Sequence, residues 1–268
     1  MRFICLGSGS EGNALLVEGG DGRGRGAAGR VLVDCGFGLR EFERRLDAAG
    51  QTADAIDAIL VTHEHSDHVG GVFRLARRYR IPVYLSDGTR RATDTLLTRL
   101  AAREALLPLL HVFDSAEPFE CAGLRVEPVA VPHDAREPVQ YVLDDGRVRL
   151  GVMTDLGHGS AHVMRSLARL NALVLECNHD VELLAANPHY PTALKKRIAG
   201  SWGHLDNAEA ARILAGIDRS RLHTVVAAHL SRDNNRPELA HAALASVFDD
   251  PQRIRVASQD RGTDWLTV

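Results

Sequence analysis

The sequence predicts a layered α/β protein. In its N-terminal part, apolar runs of strand length alternate with segments whose apolar residues recur at helical spacing. The run Ala58-Ile59-Leu60-Val61 is apolar throughout, as a strand buried on both faces is, and it leads straight into a polar group. Farther on, short runs separated by turn residues indicate hairpins. At 268 residues the chain can bury a substantial core. No internal repeat or long linker divides it, so one domain over residues 1–268 is expected.

Taken in order, residues 2–6 read as a strand entering Gly7-Ser8-Gly9-Ser10-Glu11-Gly12. That stretch matches the G-x-G-x-x-G of a dinucleotide site, and Asp34 stands where the ribose-binding acid would. The match fails at the helix, because only residues 13–18 separate it from a glycine-rich stretch through Gly29. A hairpin is the better reading, with strands 13–18 and 30–34 and a flexible tip over 19–29 carrying Arg23 and Arg25. Two roles stay open for the first turn: its glycines let backbone amides approach an anion, or they serve a simple tight turn.

Leu39, Phe42 and Leu46, with Gly50 as a stop, predict a helix over 39–49. After the strand that enters His63, residues 69–79 mark an amphipathic helix whose Arg74, Arg77, Arg78 and Arg80 form its solvated face. Residues 81–85 read as a strand and 89–103 as a helix. Residues 124–131 alternate and end at Pro132-His133-Asp134. Strands 139–143 and 147–153 flank the turn Asp144-Asp145-Gly146, and the second ends at Thr154-Asp155. A helix over 163–170 precedes the strand 172–176, which ends at Cys177-Asn178-His179-Asp180. Asp206, with Glu209 three residues on, caps a helix over 206–218. The buried strand 223–228 ends at His229. A helix over 237–248 and short strands near 254–257 and 265–268 close the chain.

Composition sets outer limits. With 45% hydrophobic and 25% charged residues the chain reads as globular, and a net charge of −3 gives no global signature of a nucleic-acid binder. Cys5, Cys35, Cys121 and Cys177 are scattered and form no C-x-x-C pair, which predicts reduced core thiols. The apolar start is too short for a signal peptide and no run approaches a membrane span. A cytoplasmic protein without a membrane partner is expected.

The chemistry concentrates in His63-Glu64-His65-Ser66-Asp67-His68. Imidazole and carboxylate at this density suit zinc, manganese or iron, and loops at strand ends are where sites are built. The helical H-E-x-x-H motif is excluded because position 67 is Asp. Read as His-x-His-x-Asp-His, the stretch resembles the signature of the metallo-β-lactamase superfamily. That resemblance demands a later His, an Asp and a final His, each at a strand end, and His133, Asp155 and His229 meet the demand. It implies an αββα sandwich, two mixed β-sheets packed face to face with helices outside. It also implies a site for two divalent metal ions, Zn or Mn. His63, His65 and His133 would hold one and Asp67, His68 and His229 the other, with Asp155 bridging and a water between the ions acidified to hydroxide.

More local stretches resemble one bacterial branch of that family, the YycJ/WalJ type of small 5′ to 3′ DNA exonucleases. These are Leu6-Gly7-Ser8-Gly9-Ser10 to Gly12-Asn13, His133-Asp134-Ala135, Thr154-Asp155-Leu156-Gly157, Glu176-Cys177-Asn178-His179-Asp180, Gly203-His204-Leu205 and Ala228-His229-Leu230-Ser231 to Asn234-Asn235. Cys177, Asp206 and the long Gly/Arg hairpin tip depart from the pattern. The branch implies a nucleic-acid substrate, DNA, with Asp67 orienting the nucleophile and His204 protonating a leaving oxygen or gripping a phosphate. Ser8, Asn178, His179, Lys195, Lys196, Arg197 and Trp202 are candidate substrate contacts. Lys195 and Lys196 are the protein's only two lysines, and beside Trp202 they suit a phosphate backbone and a stacked base. A solvated helix face and a core tryptophan are the competing reading, and His179 has a competing role in orienting a ligand. His111, His162, His223 and His241 read as structural. No separate insertion between Asp155 and His229 suggests a larger RNA-processing nuclease. Hydrolysis of a thioester, lactone or lactam, and a non-catalytic metal-binding regulator, remain the alternatives.

Overall fold

The computed structural model describes residues 1–19, 29–100 and 103–268. The strands are β1 (Arg2–Gly7), β2 (Ala14–Glu18), β3 (Arg30–Val33), β4 (Ala58–Leu60), β5 (Val83–Ser86), β6 (Leu110–Phe113), β7 (Phe119–Cys121), β8 (Leu124–Ala130), β9 (Val139–Asp144), β10 (Arg149–Met153), β11 (Ala172–Glu176), β12 (Thr224–Ala228), β13 (Ile254–Val256) and β14 (Leu266–Thr267). Among the described residues they form two seven-stranded sheets, ordered β14-β1-β2-β3-β4-β5-β6 and β13-β12-β11-β10-β9-β8-β7. Both sheets are mixed. In the first, β3 to β6 run parallel after an antiparallel start; in the second, β10 to β13 do.

The period-2 alternation of side chains places the core in three slabs. Phe3 and Cys5 of β1 and Val31 and Val33 of β3 meet Val174 of β11 and Val226 of β12 between the sheets. Their neighbours Ile4, Leu6 and Leu32 pack outward against Phe42 and Leu46 of the helix Leu39–Ala48 and Phe73 of the helix Val72–Tyr79. On the far side, Leu173, Leu175 and Val225 pack against the helices Asn207–Gly216 and Pro237–Ala245. Strands buried on both faces cannot alternate in hydropathy, which is why β3, β4, β11 and β12 read as continuous apolar runs. The expected αββα sandwich is found.

The two sheets lock together at the rim where β4, β10, β11 and β12 end. The buried Tyr141 hydroxyl of β9 donates to the Val61 carbonyl at 2.6 Å, and the Val139 amide donates to the Thr62 carbonyl at 3.1 Å. The expected hairpin pairs β2 with β3 in register Leu16↔Leu32; its tip, with Arg23 and Arg25, lies outside the described residues. No helix follows Gly12, since β2 begins at Ala14, and this removes the dinucleotide reading.

Several elements differ from expectation. The helix expected over 89–103 is three short ones, Asp87–Ala92, Asp94–Arg99 and Arg103–Leu106. At the first break the buried Thr93 hydroxyl donates to the Arg90 carbonyl, a local bond that competes with the helical ladder. β6 is an unexpected edge strand with exposed positions, and its Phe113 joins Tyr84, His111 and Phe119 in an aromatic stack. The helix Val181–Ala186 was also not signalled, whereas Thr192–Ile198 is the solvated helix of the competing reading for Lys195, Lys196 and Arg197. The metal-ligand stretch is not all loop: β4 stops at Leu60, and Ser66–Val69 wind into one helical turn bearing Asp67 and His68. All four cysteines are free and buried.

Candidate metal centre

Side chains from four strand ends meet in one cup. His63, His65 and His133 form one group of potential ligand atoms lying within 4.8 Å of one another, and Asp67, His68 and His229 form a second. Asp155 shares a third such group with His63 and His68 and a fourth with Glu176, His204 and His229, so it stands between the first two. His63 Nε2 is 3.0 Å and His133 Nε2 3.2 Å from His65 Nδ1. His68 Nε2 lies 3.1 Å from Asp155 Oδ2 and 3.4 Å from Asp67 Oδ2, and His229 Nε2 lies 3.5 Å from Asp67 Oδ2.

The fold sets these side chains through their backbone. Asp155 and His229, the residues that leave β10 and β12, adopt left-handed φ of 53° and 55°, and Asp34 after β3 does the same at 59°. Such conformations cost about 1–3 kcal/mol each in a non-glycine residue and persist where surroundings impose them. The Ser8 hydroxyl accepts the His229 amide at 2.8 Å, and Asn178 Nδ2 donates to the His229 carbonyl at 3.0 Å. On the other side, Asn13 and Cys35 donate their amides to the Asp67 and His68 carbonyls. Gly36 passes so close to the Asp67 carbonyl that an added Cβ would overlap it.

Outer partners fix which imidazole nitrogen faces the cup. His68 Nδ1 is 2.8 Å from Asp34 Oδ2, whose carboxylate also accepts the Thr62 amide and hydroxyl. His133 Nδ1 donates to the Gly203 carbonyl at 3.1 Å. His229 Nδ1 meets Glu176 Oε1 at 2.7 Å, and the same oxygen takes His204 Nδ1 at 2.9 Å. At His68, His133 and His229 this turns Nε2 inward, as the nitrogen that can give a lone pair to a cation once any proton on it is released. At His68 that lone pair confronts two carboxylate oxygens, an arrangement only a proton or a cation reconciles. Burial is the largest influence on His68 and opposes charge, yet Asp155, Asp67 and Asp34 outweigh it and hold the ring well above the usual histidine range. His229 is pushed up to about 10, where burial is likewise outweighed by Asp155, Asp67 and Glu176. His63 goes the other way, well down, through burial and then the neighbouring His68.

The residues present fit a divalent cation. Among the described residues His229 Nε2 is buried without a hydrogen-bond partner, and buried Asp155 Oδ2 is met only by the His68 Nε2 that faces it; both are cation-binding atoms. The donor set is imidazole and carboxylate without thiolate, suited to zinc, manganese or iron. Above the cup opens a cleft of about 200 Å³ lined by Ser10, His65, Asp67, Asp134, Arg197 and His204.

Two acids that the sequence reading left outside the site belong to it. Glu176 is wholly buried and receives four donors, the two imidazoles on Oε1 and the amides of Leu205 and Leu156 on Oε2 at 2.9 and 3.3 Å. Burial alone would raise its carboxyl; His204 and His229 outweigh burial and hold it down at about 2. Asp34, read above for a ribose, orients His68 instead. Both end apolar strands, the same signal that singled out Asp155 and His229. The candidate substrate contacts divide. Ser8 and Asn178 are buried and hold the His229 backbone, and His179 is buried with its Nδ1 unpartnered among the described residues. Lys195 donates to the Ala185 carbonyl at 2.6 Å. Arg197 lines the cleft and meets Asp134 Oδ2 at 2.5 Å, Lys196 is exposed beside it, and Trp202 is 62% exposed rather than in the core.

Comparison with known proteins agrees with this geometry. The family described as the beta-lactamase superfamily domain matches residues 29–229, a span holding all seven residues expected as ligands. The chain belongs to the beta-lactamase superfamily. Within that superfamily it is 34% identical over 250 residues to exodeoxyribonuclease YycJ of Bacillus anthracis, covering 93% of this chain and 90% of that protein. It is 30% identical to exodeoxyribonuclease WalJ of Streptococcus pneumoniae serotype 2, covering 91% and 87%. The metallo-beta-lactamase fold protein YhfI of Bacillus subtilis superposes with a TM-score of 0.67 at 16% identity, over 99% of each chain. In this beta-lactamase superfamily chain no helix among the described residues is long and apolar enough to cross a membrane.

Proposed function

We propose that this chain is a dinuclear metal-dependent phosphodiesterase that degrades DNA as a 5′ to 3′ exonuclease, folded as one domain over residues 1–268. The carrying observation is the cup itself, two triads of ligand atoms with Asp155 between them. The identity with exodeoxyribonucleases over most of the chain supports DNA as the substrate. Two divalent cations bound there would neutralise charge on the attacked phosphoryl group and acidify a water at neutral pH.

The side chains carry the remaining steps. Asp67 lines the cleft, and Asn13 Nδ2 donates to its Oδ2 at 3.3 Å. Burial alone would raise the Asp67 carboxyl, but His68 and His229 outweigh it and hold it well below the carboxylate range. Asp67 is therefore an acceptor that orients the nucleophile. His204 supplies a proton to the leaving oxygen: Glu176 takes its Nδ1, which leaves Nε2 as the remaining polar atom of a ring lining the cleft. Burial opposes charge on His204, and Glu176 and Asp155 outweigh it, so the ring keeps its proton above the ordinary histidine range. Arg197 at the cleft wall and the exposed Lys196 next to it in the chain follow the phosphate backbone, and exposed Trp202 gives a base a stacking face.

End-labelled duplex DNA incubated with the protein and Mn²⁺ or Zn²⁺ tests the reading. Mononucleotides should be released stepwise from the 5′ end, and Asp67→Ala should lower the rate by about 10²-fold or more. Thioester turnover with DNA left intact would overturn the proposal.

A further inference from the structure

The rim opposite the metal centre carries arginines for which hydrolysis has no use. β10, β11 and β12 run parallel, so the site acids and His229 gather where they end, and other residues gather where they begin. There a cleft of about 390 Å³ is lined by Arg125, Arg147, Arg149, Arg169, Arg221 and Asn171, with Glu127 and Asp144 as its acids. Arg149 opens β10 and Asp155 lies two residues beyond its end, so the strand, at ~3.3 Å per residue, separates the two sites by roughly 15 Å or more.

The cleft has a fixed floor and a free margin. Arg149 is the floor: Nη1 donates to the Ala168 carbonyl at 2.7 Å, Nη2 to Glu127 at 3.0 Å, and its amide to Asn171 Oδ1 at 3.0 Å. Arg125 faces Asp144 on one neighbouring strand and Glu120 on the other. The margin is Arg147, Arg169 and Arg221, all exposed, and none of them makes an ion pair within 4.0 Å among the described residues. Asp218 is the nearby counter-charge; hydrogen bonds from Ser220, then Arg169 and Arg221, hold its carboxyl down. Arg169 is carried on a left-handed φ of 58°. In a chain of net charge −3, such a local concentration of guanidinium is a field that an anion relieves.

The lining decides the kind of anion. It offers planar forks that match phosphate oxygens, and it has no aromatic or apolar face to hold a base. A duplex ending in the metal cup is stiff over about 150 base pairs and does not fold back to the opposite rim. We propose that this cleft binds a compact oligophosphate, either inorganic or the phosphate chain of a nucleotide, at a site separate from the metal centre. Arg147, Arg169 and Arg221 grip the anion, and Arg149 with Asn171 shapes the base of the cleft.

The test is calorimetric titration of the metal-loaded protein with inorganic tripolyphosphate, beside the Arg169→Ala/Arg221→Ala double variant and Arg147→Glu. All three positions are exposed, so the variants should keep the wild-type melting temperature and hydrolyse bis(p-nitrophenyl) phosphate at the wild-type rate. The expected result is saturable one-to-one binding, weakened about tenfold or more in both variants through loss of charge-assisted hydrogen bonds. Displacement by ATP would identify the nucleotide form as a ligand, and binding of tripolyphosphate without ATP the inorganic one. Equal binding by wild type and variants, no binding to wild type, or an oligonucleotide held by these arginines with tripolyphosphate excluded would each overturn the proposal.

Discussion

Replacing Glu176 with glutamine tests whether an acid outside the metal cup sets the cup's geometry. The substitution keeps shape and volume and removes one acceptor. Four donors converge on this carboxylate, His204 Nδ1 and His229 Nδ1 on one oxygen and the Leu205 and Leu156 amides on the other. Whichever way the amide is turned, its NH₂ faces two of the four. Two buried donors left unpaired cost about 1–3 kcal/mol each, so the loss is roughly 2–6 kcal/mol. For a domain of this size that lowers the melting temperature by roughly 5 °C or more. The His229 ring also loses the partner that fixes its inward Nε2, and metal affinity should fall about 10- to 100-fold. The pH dependence has a definite sign. The folded carboxyl is depressed to about 2, so its contribution is present above the ordinary value of 4.5 and is lost as pH falls from there through 2. Wild type and Glu176→Gln should therefore converge in stability over that window. Thermal melts of metal-free protein across pH, with Zn²⁺ affinity measured against a chromophoric chelator, give the answer. Unchanged affinity together with an unchanged melting temperature would refute the reasoning.

Asp34→Asn should also lower metal affinity by about 10- to 100-fold while preserving the fold, since asparagine tolerates the left-handed φ of 59° at that position; chelator competition and circular dichroism check both halves. Gly36→Ala places a methyl group against the Asp67 carbonyl, and the displaced ligand turn should cost about 10²-fold in DNA hydrolysis, read from single-turnover rates. Metal loading should release protons at pH 7 to 8, about two per protein, because His68 and His229 hold theirs above the usual range until a cation replaces them; titrations in buffers of different ionisation enthalpy measure the number. Burial pushes Cys5 and Cys121 up to about 12 and the other two thiols still higher, so a disulfide reagent at pH 8 should label none in the native protein and all four after unfolding.

Much of this was legible in the sequence because strands buried on both faces leave a plain mark. Ala58 to Val61, Ala172 to Leu175 and Val225 to Ala228 are apolar without interruption, and they are followed by Thr62-His63, Glu176 and His229. The failures have physical causes too. β6 has two exposed positions and sits at a sheet edge, so its hydropathy carries no period. The helix Val181–Ala186 is short and buries only Leu184 fully, so it has no apolar stripe to read. Ser8 and Asn178 look like substrate contacts because polar residues beside ligands usually are exposed. Here they are buried and spent on the backbone that presents His229.

What sequence could not signal is how the chain turns at those strand ends. Asp34, Asp155 and His229 all leave their strands through left-handed conformations. None is a glycine, and a lone Asp or His after an apolar run would ordinarily be placed in an extended or turn conformation. The left-handed step redirects the side chain out of the sheet's alternation and into the space where the two sheets' rims meet. Three such residues store about 3–9 kcal/mol of local strain, comparable to the whole stability of many domains. The sheets repay part of it through the network that pins each turn: Thr62 on Asp34, Glu176 on His229, Ser8 and Asn178 on the His229 backbone. Asp155 is met instead by imidazoles of the cup, His68 Nε2 at 3.1 Å from its Oδ2 and His229 Nδ1 at 3.4 Å from its Oδ1, and it stands between the two His/Asp groups. Asp155 is thus held by groups that would themselves be ligands, so a bound cation would be the remaining member of the network and would tie the strain in the fold to the chemistry it serves.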